Sequence, residues 1–143
     1  MSAPVVLLAQ AITDLLNTVG AFTPALNATR EWQPFYDLPA ATTAKIAVFP
    51  SADDSSAKID RHRWQHDLTI DVSVQRKIAA DTSPEKDALV LLADQICEYI
   101  KANRPNRPEK LMTATVNPLL QNELLRQNKL FTAVARFTFQ SHR

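Results

Sequence analysis

The stretch "RWQHDLTIDVSVQRKI", residues 63–78, alternates between apolar and polar residues almost without interruption. A period of two is typical of a β-strand that buries one face. At ~3.3 Å per residue this strand would measure about 50 Å, whereas most strands end within about ten residues. The sequence therefore predicts a strand longer than the core of a small domain requires. Its apolar side consists of Trp64, His66, Leu68, Ile70, Val72 and Val74.

The length and composition indicate one soluble globular domain, residues 1–143. A chain of 143 residues can bury one sizeable core but not two. Apolar residues make up 45% and charged residues 22%, which is an ordinary globular balance. The net charge of +1 gives no overall field that would attract nucleic acid. No stretch approaches the ~20 apolar residues of a membrane span, so we expect no membrane partner.

The other segments predict two helices and a sheet. Residues 4–18 and 81–103 have apolar residues at helical spacing, with Thr82 or Ser83 capping the second helix. We predict strands at residues 44–51, ended by Pro50, and at 111–117 and 130–140; a short edge strand within 29–39; and a short helix or turn at 118–128. Residues 51–60 are predicted to be a polar loop that joins two strands into an extended hairpin. The predicted fold class is α+β: an antiparallel sheet of about four to five strands with a long β-hairpin, packed by an N-terminal and a central helix.

The sequence predicts no catalytic site, metal site or cofactor. With one glycine, Gly20, a glycine-rich phosphate loop is impossible, and the single Cys97 excludes an internal disulfide and makes a cysteine zinc site very improbable. We expect Cys97 to be a buried, inert thiol. His62 and His66, like Asp67 and Asp71, lie four residues apart on a strand, which separates each pair by ~13 Å.

That separation is too large for one metal ion or for the two carboxylates of a glycosidase. We therefore expect a protein that is not an enzyme. The alternative, a small hydrolase using Asp67 or Asp71 with His62 or His66, requires additional groups from elsewhere in the chain.

A chain without a catalytic site is suited to act through its surfaces, which makes the length of the strand its most informative property. A hairpin that extends beyond its core has open edges, which a partner chain can pair with, and such edges repeated around an axis close into a ring. The polar face of the strand is either a solvated surface or an acidic interface or lumen lining. Its residues are Asp67, Thr69, Asp71, Ser73 and Gln75.

Three further groups are candidates for partner contacts. Asp53 and Asp54 lie in the polar run after Pro50. Trp32, with Phe35 and Tyr36, is either part of a flap on the core or an interface anchor. The basic cluster is either a solvated connection or a contact for an acidic partner or phosphate backbone, and it consists of Arg104, Arg107 and Lys110.

The order of elements resembles the tail-terminator (tail-completion) proteins of long-tailed bacteriophages. The segments with this resemblance are the N-terminal helix, "KIAVFP", "DLTIDVSVQRKI", "DALVLLADQICEYIKAN" and "NPLLQNELLRQNKLFTAVARFTF". It covers most of the chain as a pattern without an invariant motif, and residues 21–44 match nothing in it.

The resemblance implies a virion structural protein, assembled in the host cytoplasm and located in the tail or neck. Such proteins form a homohexameric ring that caps the tail tube, stops its polymerisation and contacts the head–neck or stopper protein. Genomic DNA passes through the ring without sequence-specific binding, and the family implies no catalytic residues. The alternatives are a head–tail stopper, another neck protein or a tail tube subunit. A tube subunit is disfavoured because the sequence lacks a second long alternating arm.

Overall fold

The computed structural model describes residues 3–18, 20, 22, 26–35, 44–77, 83–117 and 130–142. Its elements in chain order are α1 (Pro4–Leu16), β1 (Ala28–Arg30), β2 (Lys45–Lys58), β3 (Trp64–Lys77), α2 (Ser83–Ala102), β4 (Lys110–Asn117) and β5 (Leu130–His142). The predicted α+β class is confirmed. The two helices pack on a mixed, mostly antiparallel sheet with the strand order β1-β2-β3-β5-β4, in which β1 alone is parallel to its neighbour. The predicted element at 118–128 and the predicted cap Thr82 lie outside the described residues.

Helix α1 is attached to the edge strand β1 through Asn17, the residue that caps its C-terminus. Pro4 occupies the first turn, where its missing N–H costs no helical hydrogen bond. The side-chain amide of Asn17 donates to the carbonyl oxygen of Ala28 and accepts from its N–H, both at 2.8 Å. Gly20 follows with a φ of +82°, a conformation that costs glycine little. These contacts place β1 beside the first residues of β2.

The core lies between the two helices and one face of the sheet, which we call the helix face. The apolar side of β3 buries four residues completely there, and their direct neighbours on β2 and β5 point the same way. Helix α2 contributes the apolar residues that its helical spacing predicts to lie on one side, and Leu92 is only partly buried at the margin of that side. None of the described helices is long and apolar enough to cross a membrane. The residues that β3, α2 and β5 contribute to this core are Leu68, Ile70, Val72, Val74, Leu89, Ala93, Ile96, Cys97, Ile100, Ala133, Ala135, Phe137 and Phe139.

The hairpin of β2 and β3 is longer than predicted. The prediction that Pro50 ends the strand and that residues 51–60 form a loop is wrong, because β2 continues to Lys58. Pro50 is accommodated at a register shift before Ala52, a bulge position at which proline is tolerated. Each arm has 14 residues, or about 46 Å at ~3.3 Å per residue.

A short turn, residues 59–63, closes the hairpin. The Asp60 carboxylate accepts hydrogen bonds from the backbone N–H groups of His62 and Arg63 and from the Arg63 side chain. The His62 N–H, followed by the Arg63 side chain, lowers the pKa of Asp60. The turn is therefore stabilised by its own aspartate, as in an Asx-type turn.

The end of the hairpin extends beyond the core; we call residues 52–67 the distal hairpin. On the helix face Leu68 is 0% exposed, whereas Trp64, four residues away on the same face, is 43% exposed. Strand β5 follows β3 outward as far as the pair of Gln65 with His142. The sheet thus continues as a three-stranded extension past the region that the helices cover.

We predict that the boundary of the core lies between Leu68 and Trp64. Leu68→Ala should lower the free energy of unfolding by about 2–5 kcal/mol, because it leaves a cavity in a closed core. Trp64→Ala on the same strand and face should cost about 1 kcal/mol or less, because that ring is only partly covered and its removal opens no closed cavity. Chemical denaturation of both variants measures the difference, and equal losses would contradict this boundary.

Candidate interaction surface

The sheet face opposite the helices, which we call the open face, holds the five polar residues predicted for an interface or lumen. The structure places all five there, but at different depths. Ser73 and Gln75 are completely buried and Asp71 is 4% exposed, whereas Asp67 and Thr69 are half-buried. The accessible part of this polar face is therefore its distal end.

Gln75 is buried because it holds a second segment of the chain against the open face. Its amide nitrogen donates to the Phe35 carbonyl at 2.6 Å and to the Thr132 hydroxyl at 3.1 Å. Its amide oxygen accepts from the Phe35 N–H at 2.8 Å. Because the polar atoms of the amide are satisfied inside the chain, Gln75 has a structural role.

Asp71 forms a two-pronged ion pair with Arg136 on the neighbouring strand β5. The Arg136 Nε and Nη2 atoms donate to the two carboxylate oxygens at 2.9 and 3.0 Å. The carboxylate is 5% exposed and the guanidinium side chain 57% exposed, so the arginine lies over the acid and reaches water. The hydrogen bonds and charge of Asp71 raise the pKa of Arg136. The sequence analysis missed Arg136, although it is the one charged residue in "LFTAVARFTF".

The helix face of the distal hairpin contains a histidine, an aspartate and a serine that do not form a catalytic relay. His66 Nδ1 lies 3.1 Å from Asp53 Oδ1 and 3.4 Å from Ser55 Oγ. A Ser–His–Asp relay needs the acid and the serine on different ring nitrogens, whereas both of these contacts are to Nδ1. These groups therefore link β2 to β3 across the distal hairpin.

The described residues contain no cluster of three or more metal-ligating side chains. The prediction of a buried thiol is confirmed for Cys97, and burial, as the main cause, raises the pKa of that thiol.

The remaining predicted contact residues differ in how much they present to solvent. Trp32 is 65% exposed and lies 4.4 Å from the Arg30 guanidinium, which stacks on its ring. Tyr36 lies outside the described residues. In the basic cluster, Arg107 pairs with the buried Glu109 at 2.8 Å, whereas Arg104 and Lys110 are exposed. The cluster thus presents two exposed cations and one partly neutralised arginine.

The second prediction concerns the unequal burial of the two charges in the Asp71–Arg136 pair. Arg136→Met should lower the free energy of unfolding by about 2 kcal/mol or more, because it leaves a nearly buried carboxylate without its cation. Asp71→Val should cost about 1 kcal/mol or less, because the exposed guanidinium can turn to water. Urea denaturation of both variants tests this, and an equal or reversed order would contradict the prediction.

No family model matches the sequence, and no curated protein matches it significantly.

Proposed function

We propose that this protein is a virion structural protein that forms a ring on the tail tube of a long-tailed bacteriophage. In this proposal the ring stops tube polymerisation, joins the tail to the head–neck proteins and lets DNA pass. The observation on which the proposal rests is the distal hairpin. It contains half of β2 and the first four residues of β3, all beyond the core, with polar side chains on both faces.

The outer edge of β2 supports assembly with a partner chain. Strand β1 pairs with β2 only along Ile46–Val48, and the Glu31 N–H donates to the Val48 carbonyl at 2.8 Å. Beyond Val48, no strand among the described residues lies on this edge. An open edge is a template for another strand, and charged side chains and bulges limit such pairing to specific partners.

The polar groups nearer the core already have roles within the chain. Gln75 holds the segment around Phe35 and Asp71 pairs with Arg136. At the far end of the hairpin, Asp60 is likewise occupied, because it closes the turn. Of the predicted contact residues that the structure describes, those in the distal hairpin, Trp32 and the exposed part of the basic cluster remain available to partners. We assign the hairpin to the subunit seam or lumen, and the exposed Arg104 to an acidic surface of the tube or neck protein.

The charges of the distal hairpin suit the passage of DNA. Asp54 is exposed and Asp67 half-exposed, and both lie on the open face. Carboxylates that line a channel repel phosphates and so disfavour binding of the passing duplex. This part of the proposal needs no sequence-specific contact.

The proposal is tested with purified full-length protein and with tubes polymerised from the tube subunit of the same virus. Light scattering should give the mass of a hexamer, alone or on the tube, and end-on electron micrographs should show a ring with a hole of duplex width. Adding the protein during polymerisation should shorten the tubes. Binding to tubes without shortening them would favour a stopper or neck protein, and self-polymerisation a tube subunit. A monomer that does not bind tubes would contradict the whole proposal.

The third prediction separates folding from assembly. Replacing Asp54–Asp67 by Asn-Gly joins the directly paired residues Asp53 and Leu68 through a two-residue turn. Because none of the removed residues whose burial the structure describes belongs to the core, the shortened chain should unfold cooperatively but remain a monomer that does not cap tubes.

Leu91→Ala, at an exposed position of α2 outside the hairpin, is the control and should still assemble. Circular dichroism, thermal unfolding and light scattering give the three readouts. A shortened chain that fails to fold, or one that assembles normally, would contradict the assignment of the distal hairpin.

A further inference from the structure

Four residues form a row across the open face at the level of the distal hairpin. Asp54 on β2 pairs directly with Asp67 on β3, Asp67 with Gln140 on β5, and Gln140 with Lys110 on β4. Directly paired residues of antiparallel strands point to the same face. The row therefore begins with a carboxylate at one side of the sheet and ends with an ammonium group at the other.

These charges are not arranged to neutralise one another within one chain. Asp54 and Asp67 are direct neighbours, and like charges in that position are unfavourable. Three strand spacings of ~4.8 Å separate Lys110 from Asp54, about 14 Å in all, which is beyond the distance of an ion pair. The row has a negative and a positive end, and each end fits the opposite end of another copy.

The strand directions allow that contact. Three successive antiparallel pairings make β4 antiparallel to β2. A second copy placed beside the first in the same orientation therefore offers its β2 to β4 as a regular antiparallel partner. β4 ends the described sheet, and β1 does not extend to the distal part of β2.

We propose that neighbouring copies join head to tail by pairing residues 51–54 of β2 with residues 110–113 of β4. In this seam Lys110 of one copy lies opposite Asp54 of the next. The partner is a second copy of this chain because the edges of β2 and β4 have compatible strand directions. Asp54 and Lys110 also lie in the same row of the sheet at these two edges and carry opposite charges. Such a heterologous contact leaves both edge types available for further copies, so it forms a closed ring when the rotation allows. The identity of the closed assembly as a tail ring rests on the function proposed above.

Disulfide trapping tests the seam directly. Opposed residues in an antiparallel pair have Cα atoms about 4.5–5.5 Å apart, within the range of a disulfide. The full-length variant Asp54→Cys/Lys110→Cys should give, on oxidation, a ladder of trimers and larger species that reduction abolishes. Each single variant should give dimers at most. A matched control is Asp54→Cys/Ala88→Cys, whose second cysteine is exposed near the N-terminus of α2, and it should form no ladder.

Charge reversal gives an independent readout by light scattering. Lys110→Glu and Asp54→Lys should each raise severalfold the protein concentration needed for assembly, because each places like charges opposite each other. The double variant should restore assembly.

The outcomes separate the seam from the proposed function. Assembly of the wild type without a ladder and without charge rescue would overturn the seam and leave the ring proposal standing. Efficient dimers from Lys110→Cys alone, with nothing larger from the double variant, would overturn it in favour of a symmetric β4–β4 contact. A ladder from a protein that does not cap tubes would support the seam and contradict the tail function. A wild type that is monomeric throughout, with no ladder, would overturn both.

Discussion

The register of β3 against its two neighbours determines where the charged groups of the sheet lie. β3 pairs with β2 on one side and with β5 on the other over almost its whole length. A slip of one residue would turn Leu68 and Ile70 to the open face and Asp71 into the core. The native register also places Asp71 directly opposite Arg136, so apolar burial and one ion pair select the same arrangement. The same register aligns Asp54, Asp67 and Gln140 across the sheet, in the row that ends at Lys110.

The fold class was predictable because its signals are local. The period of two in β3, the 3.6-residue stripe of α2 and the aromatic alternation of β5 each depend on neighbours within one segment. The extent of β2 was not predictable in this way. Residues 51–58 lie beyond the helices, so no apolar period marks them, and they form a strand because β3 supplies the hydrogen bonds.

The polar face of β3 shows why the burial of a side chain is harder to predict from sequence than the face of the sheet on which it lies. Alternation correctly placed Asp71, Ser73 and Gln75 opposite the helices, but their burial depends on groups distant in sequence. Phe35 is 40 residues from Gln75 and Arg136 is 65 from Asp71. Such pairings cannot be predicted from a single sequence before the strand order of the sheet is known. The same holds for Glu109, whose pairing with Arg107 reduces the basic cluster to two exposed cations.

The carboxylates of the distal hairpin repel each other slightly within one chain, but they also favour one way of pairing two copies over another. Two acids facing each other on exposed strands cost little, since water and salt screen them. The same acids disfavour symmetric pairing of two β2 edges, which would bring four carboxylates together. Pairing of the β2 edge with the β4 edge brings Lys110 opposite Asp54 and causes no such repulsion. The charges at the two sides of the sheet therefore favour β2–β4 pairing over β2–β2 pairing. An open edge that would otherwise pair indiscriminately thus prefers one orientation of its neighbour, and repetition of that orientation is what a closed ring requires.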